Sequence, residues 1–146
     1  MRYYVCLVLT TWITNKYMAT KERNKRYVVV DEAWNLFKNQ ETSDFLENLA
    51  RRARKKKVAM ILATQNLSEL RQNRQAEAII NCCDTILLLK QSIGSIDEIM
   101  KFFKLPSGTK EILTKARPGE CILIRGGDIR ALKIDITKFE SEFITT

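Results

Sequence analysis

Residues 27–32 read Tyr27-Val28-Val29-Val30-Asp31-Glu32: four apolar residues run without interruption into two carboxylates. A short, unbroken, β-branched run marks a strand covered on both faces, the habit of parallel sheets. Working outward, Val58 to Ala63 repeats the pattern and ends in Thr64-Gln65, and Thr85 to Leu89 forms a third run. Strand Glu120 to Arg125 then turns at Gly126-Gly127-Asp128 into a second strand, Ile129 to Ile136, as a hairpin.

Helical signals separate these runs. Thr42 or Ser43 is placed to cap a helix whose stripe is Phe45, Leu46, Leu49, Ala50 and Ala53, with Asp44 and Glu47 in its first turn. Ser68 caps a stretch reaching Cys82, and Ser95 with Glu98 forms a capping box that opens a helix through Phe103. Pro106-Ser107 starts a short helix to about Ala116. Near the amino terminus, Val5, Val8, Leu9, Trp12, Ile13 and Tyr17 share one helical face, while Thr10, Thr11, Thr14, Asn15 and Lys16 break the apolar run. That pattern suits a buried helix packed on a sheet better than a membrane span or a signal peptide. Alternating helices and strands predict one α/β domain over residues 1–146. Its sheet is mostly parallel and flanked by helices, with an antiparallel hairpin at the carboxy-terminal end.

Composition narrows the chemistry. The 146 residues are 45% hydrophobic, enough for a core, and 25 basic against 17 acidic residues leave a net charge of +8. That charge permits a polyanionic partner without demonstrating one. Histidine is absent, which removes Ser-His and Cys-His dyads and every zinc site that needs imidazole. The four cysteines include the adjacent Cys82 and Cys83 but no Cys-x-x-Cys pair, so they read as small thiols of a core-bearing protein and not as a disulfide framework.

In a sheet of this kind ligands gather outside the carboxyl ends of the strands, where Asp31-Glu32 and Thr64-Gln65 fall. A carboxylate pair at a strand mouth suits a magnesium nucleotide: Asp31 would hold the metal and Glu32 would polarise the attacking water. A glutamine at the neighbouring mouth could bond both a γ-phosphate and that water. The plainer alternatives are that Asp31 and Glu32 cap the following helix and that Thr64-Gln65 is an ordinary polar strand end.

The string Val28-Val29-Val30-Asp31-Glu32-Ala33-Trp34, then Arg54-Lys55, then Leu62-Ala63-Thr64-Gln65, resembles the carboxy-terminal half of the conjugation and type IV secretion motor ATPases. These are the VirB-four and TraC/TrbE-like proteins, relatives of the FtsK and HerA translocases. Pro118-Gly119-Glu120 through Gly126-Gly127-Asp128-Ile129-Arg130 looks like that family's closing strands, so the resemblance covers nearly the whole chain. It implies a partial RecA-like core using ATP and Mg2+, and a hexamer working with other secretion components at the cytoplasmic face of a membrane. It also implies roles: Asp31 and Glu32 in the Walker B positions, Thr64 and Gln65 in the Thr-Gln sensor. Arg54 would be a finger reaching a phosphate in a neighbouring subunit, or else a solvated basic helix end.

One departure is plain: no Gly-x-x-x-x-Gly-Lys-Ser/Thr occurs, and no glycine precedes a Gly-Lys pair. Backbone N–H groups of that loop cradle the phosphates, so hydrolysis by this chain alone is not expected, and Met1 reads as the start of a fragment. The run Arg51 to Lys57 holds six cations in seven residues. It reads as a solvated helix end or subunit contact, or alternatively as a nucleic-acid groove, although the nearest aromatic, Phe45, belongs to the apolar stripe. Three readings follow: a secretion motor, a DNA translocase of the FtsK or HerA type, and a non-catalytic basic module binding nucleic acid or an assembly partner.

Overall fold

The structure is a computed structural model that describes residues 8, 11, 12, 16, 26–65, 67 and 73–144. The chain divides into two units, residues 1–83 and 84–146.

In the first unit, β1 (Arg26–Val30) pairs in parallel with β2 (Val58–Leu62), in register from Arg26 opposite Val58 to Val30 opposite Leu62. The connection is a 3-10 helix (Ala33–Lys38), α1 (Gln40–Ala53) and a second short 3-10 turn (Arg54–Lys56). Leu49 and Ala53 of α1 bury against Val28 and Val58, with Phe45 and Met60 alongside. A second cluster joins Ala33 and Phe37 of the 3-10 helix, Leu46 of α1, and Ala76 and Ile79 of α2 (Arg74–Cys82).

Burial alternates along β1, which corrects the expectation of a strand covered on both faces. Val28 is 9% exposed, whereas Tyr27 and Val29 are 63% and 65% exposed and Ile61 of β2 is 49% exposed. One face of the pair is covered by α1, and the other stays open among the described residues. Valine runs report preference for a pleated surface, and say nothing of which segment supplies the second layer.

Helix starts also differ from the sequence reading. In α1 the cap is Asn39, whose side chain accepts from Glu41 N at 2.9 Å. Thr42 and Ser43 lie one turn inside, buried, with their hydroxyls donating back: Thr42 to Leu36 O and Asn39 O, Ser43 to Phe37 O and Asn39 O. They tie α1 to the preceding 3-10 helix. Asn73 caps α2; the proposed cap Ser68 lies outside the described residues, as does most of the amino-terminal helical face. Of that face, Val8 and Trp12 are described and are exposed.

In the second unit, β3 (Thr85–Leu88) pairs antiparallel with β4 (Glu120–Arg125), which pairs antiparallel with β5 (Asp128–Lys133). The Gly126-Gly127 hairpin stands where the sequence placed it, with both residues at positive φ as a tight two-residue turn needs. The α/β class holds, with parallel pairing in the first unit and antiparallel pairing in the second. Helices α3 (Ile93–Phe102) and α4 (Thr109–Lys115) follow β3, and α5 (Lys138–Ile144) follows β5. Ser92, not Ser95, caps α3, accepting from Ser95 N at 3.2 Å. Ile96, Ile99, Leu113, Cys121 and Ile122 are buried. Among the described residues no helix is long and apolar enough to cross a membrane.

Candidate functional site

The parallel ladder does not stop where β1 and β2 end. Ala63 N donates to Val30 O and Ala33 N to Ala63 O, both at 2.9 Å, so the two chains stay paired for one further step. This places Asp31-Glu32 beside Thr64-Gln65 at the carboxyl ends of the strands. Glu32 sits in the left-handed region, at φ 48° and ψ 44°, and its carbonyl accepts from Asn35 N at 3.0 Å as the chain winds into the 3-10 helix. That conformation costs a non-glycine residue about 1–2 kcal/mol. Ala33, 1% exposed, pins the start of the helix in the core.

The turn brings the Glu32 carboxylate under two donors. Gln65 Nε2 donates to Oε1 at 2.8 Å from the neighbouring strand end, and Trp34 Nε1 donates to Oε2 at 2.6 Å. Lys38 Nζ lies 3.8 Å from the centre of the Trp34 ring, one turn further along. Asp31 is exposed, and its Oδ1 accepts from Glu32 N at 2.8 Å. Thr64 and Gln65 are exposed, while Glu32 is half-buried.

The structure thus brings Glu32 and Gln65 into contact and leaves Asp31 and Thr64 at the same mouth. Arg54 begins the turn that leads into β2, at the opposite end of that strand. A strand of that length spans about 15 Å, so Arg54 and the Glu32–Gln65 pair occupy opposite ends of the parallel pair. Trp34 and Lys38 were not read as site residues from the sequence. The signals available were an indole two residues after the glutamate and a lysine four residues after the indole.

Chemically, a carboxylate offers about four acceptor positions. Two are taken by Trp34 and Gln65, so Glu32 can still accept from a water molecule. Asp31 suits Mg2+, a hard cation that usually keeps several waters and takes one or two carboxylates together with substrate phosphates. No group of three Cys, Asp or Glu side chains able to hold a metal occurs among the described residues.

Comparison with known proteins bears on this arrangement. The AAA-like domain family matches residues 4–144. The type IV secretion system protein CagE of Helicobacter pylori is 27% identical over 92 residues, which are 62% of this chain and 9% of CagE. The structure of VirB4 of Thermoanaerobacter pseudethanolicus is similar with a TM-score of 0.74 and 25% identity, covering 92% of this chain and 36% of that one. The genome packaging NTPase B204 of Sulfolobus turreted icosahedral virus 2, solved in complex with ATP-gammaS, shares the fold with a TM-score of 0.65 at 14% identity, over 88% of this chain and 62% of that one. The chain therefore spans about a tenth of CagE and about a third of the VirB4 structure. The resemblance to type IV secretion motor ATPases drawn from residues 28–34 and 62–65 stands. With a family match that runs nearly end to end and a VirB4-like fold over most of its length, this chain belongs to the AAA-like domain family.

Proposed function

We propose that the chain carries the Walker B and sensor portion of an ATP-hydrolysis site in a VirB4-like motor that energises type IV secretion or conjugative transfer. The observation supporting this most directly is the 2.8 Å bond from Gln65 to Glu32 across the carboxyl ends of two parallel strands. In this reading Glu32 accepts a proton from the attacking water as its oxygen bonds to the γ-phosphorus. The bond to the β,γ-bridging oxygen breaks, giving ADP and phosphate. Asp31 would hold Mg2+, which when bound neutralises charge on the β- and γ-phosphates. Thr64 and Gln65 would sense the γ-phosphate, and Arg54 would serve a neighbouring subunit of a hexamer at the inner face of the membrane. The phosphate-cradling loop would come from a part of the motor outside this sequence, which holds no such motif.

The experiment is Glu32→Gln in the product of the complete reading frame, with nucleotide binding and phosphate release measured separately. Hydrolysis should fall by about a hundred-fold or more, the contribution of a general base, while ATP binding persists. Hydrolysis unchanged by the substitution would sink the assignment.

A second reading, a polyanion-binding surface, draws on Arg52, Lys55, Lys56 and Lys57, all exposed at the other end of the pair. Arg51 is drawn instead to Glu47 at 2.7 Å. Binding to nucleic acid that weakens steeply with salt, and vanishes on charge reversal of these lysines but not with Glu32→Gln, would favour it.

A further inference from the structure

We infer that Trp34 is a positioning residue for Glu32, its indole N–H fixing the carboxylate in the orientation from which it would meet the attacking water; this rests on the hydrolytic reading of Glu32. Three observations on one short segment carry the inference. The Nε1–Oε2 distance is 2.6 Å, a direct hydrogen bond. The donor lies on the oxygen that Gln65 does not touch, so the two bonds together hold both ends of the carboxylate. The terminal torsion of a glutamate is otherwise broad and two-fold, and one donor would leave the group free to swing about it. Finally, the indole is itself held: it packs on the Ala33, Phe37, Leu46, Ala76 and Ile79 cluster, and Lys38 Nζ sits over its ring at 3.8 Å.

A tryptophan suits this place for a physical reason. Indole carries a donor and no acceptor, so it can hold a carboxylate without competing for the proton that the carboxylate would take. Its rigid ring spans the distance from the core to the strand mouth at little cost in rotamer entropy, which a flexible lysine or glutamine donor would lose. The contact is made over only two residues, across the left-handed turn at Glu32.

The test separates the donor from the ring. In the product of the complete reading frame, Trp34 is replaced by benzothienylalanine, which keeps the bicyclic shape and lacks the N–H, and by 5-fluorotryptophan, which keeps it and adds no ring acceptor. Trp34→Phe serves as the genetically encoded counterpart. The donor-less variants should lose about ten- to a hundred-fold in kcat, the scale of a misplaced catalytic group, with KM for ATP unchanged; 5-fluorotryptophan should restore kcat. Full kcat in the benzothienyl protein, with Glu32→Gln inactive, overturns the positioning role alone. A raised KM at unchanged kcat overturns it as well. Hydrolysis that survives Glu32→Gln overturns the hydrolytic reading, and the positioning role with it. A readout independent of turnover is the indole N–H proton resonance of Trp34 in this chain, assigned by its loss in Trp34→Phe. It should lie downfield and move upfield in Glu32→Gln and further in Glu32→Ala; a resonance indifferent to both substitutions refutes the contact.

Discussion

Replacing Asn73 by alanine tests how the first unit holds its site. The Asn73 side chain makes four hydrogen bonds at the start of α2. Oδ1 accepts from Gln75 N at 2.9 Å and from Ala76 N at 3.0 Å, and Nδ2 donates to Phe37 O at 2.9 Å and to Ser43 Oγ at 3.3 Å. One half caps the helix; the other ties it to the end of the 3-10 helix that follows Glu32. Losing the cap costs about 1 kcal/mol. Losing the donations costs about 1 kcal/mol more, and not the larger amount expected of an orphaned acceptor, because Phe37 O keeps the Ser43 hydroxyl at 3.2 Å. Asn73→Ala should therefore destabilise the unit by about 2 kcal/mol, which for a slope near 2 kcal/mol per molar lowers the urea midpoint by roughly 1 M. Asn73→Ser keeps a capping acceptor and loses only the donations, so its midpoint should fall between alanine and wild type. Equilibrium urea denaturation followed by far-UV circular dichroism measures both. An unchanged midpoint for Asn73→Ala, or a serine variant as weak as alanine, would refute this division of the stabilisation between cap and tie.

Two further outcomes concern the second unit. Gly119 has φ 87°, and a Cβ there would stand 2.5 Å from Ile134 O, whose residue also donates its N–H to Gly119 O at 2.8 Å; Gly119→Ala should cost more than about 1 kcal/mol, seen as a lowered thermal midpoint, and a neutral effect would contradict the close approach. At α5, bonds from Thr137 N and Oγ1 hold the Glu140 carboxyl below its ordinary value of 4.5. A depressed folded value means that this contribution is complete above about 4.5 and is lost as the pH falls through the lower folded value. The helix should therefore fray in acid, with the Thr137 amide protection factor falling on that limb and Glu140→Gln weakening the dependence; a protection factor flat across it would count against the cap.

Much of this was legible because the physics was local. Unbroken apolar runs located β1 and β2, and Gly126-Gly127 located the hairpin, since few dipeptides accept two positive φ angles. The adjacency of Asp31-Glu32 and Thr64-Gln65 follows from parallel pairing, which sets like ends side by side. Helix starts were less legible for an equally physical reason. Asn, Ser and Thr cap almost equally well, so residue type alone does not separate Thr42 and Ser43, the caps read from the sequence, from Asn39, which packing chose. Burial of Thr42 and Ser43 between α1 and the 3-10 helix made their hydroxyls ties and left the cap to Asn39. Ser92 and Ser95 pose the same ambiguity three residues apart. Coverage of the β1–β2 pair was not legible, because Tyr27 and Val29 look the same in sequence whether or not a second layer lies over them.

The contact that sequence could not forecast depends on a left-handed torsion at Glu32. Asparagine, aspartate and glycine are the residues that enter the left-handed region readily; glutamate is not, and a glycine at position 32 would make the same turn at lower cost. What glycine would lack is the carboxylate, and the structure shows what the carboxylate adds: two bonds, one to each oxygen, from Trp34 and Gln65. Hydrogen bonds to a charged group are worth roughly 1.5–3 kcal/mol when shielded and less at a half-buried site, so the pair offsets a backbone penalty of about 1–2 kcal/mol. The strained turn and the two tethers are therefore one arrangement. Removing either tether leaves the turn less compensated, so substitutions at Gln65 and Trp34 should be coupled through Glu32 although neither side chain bonds the other.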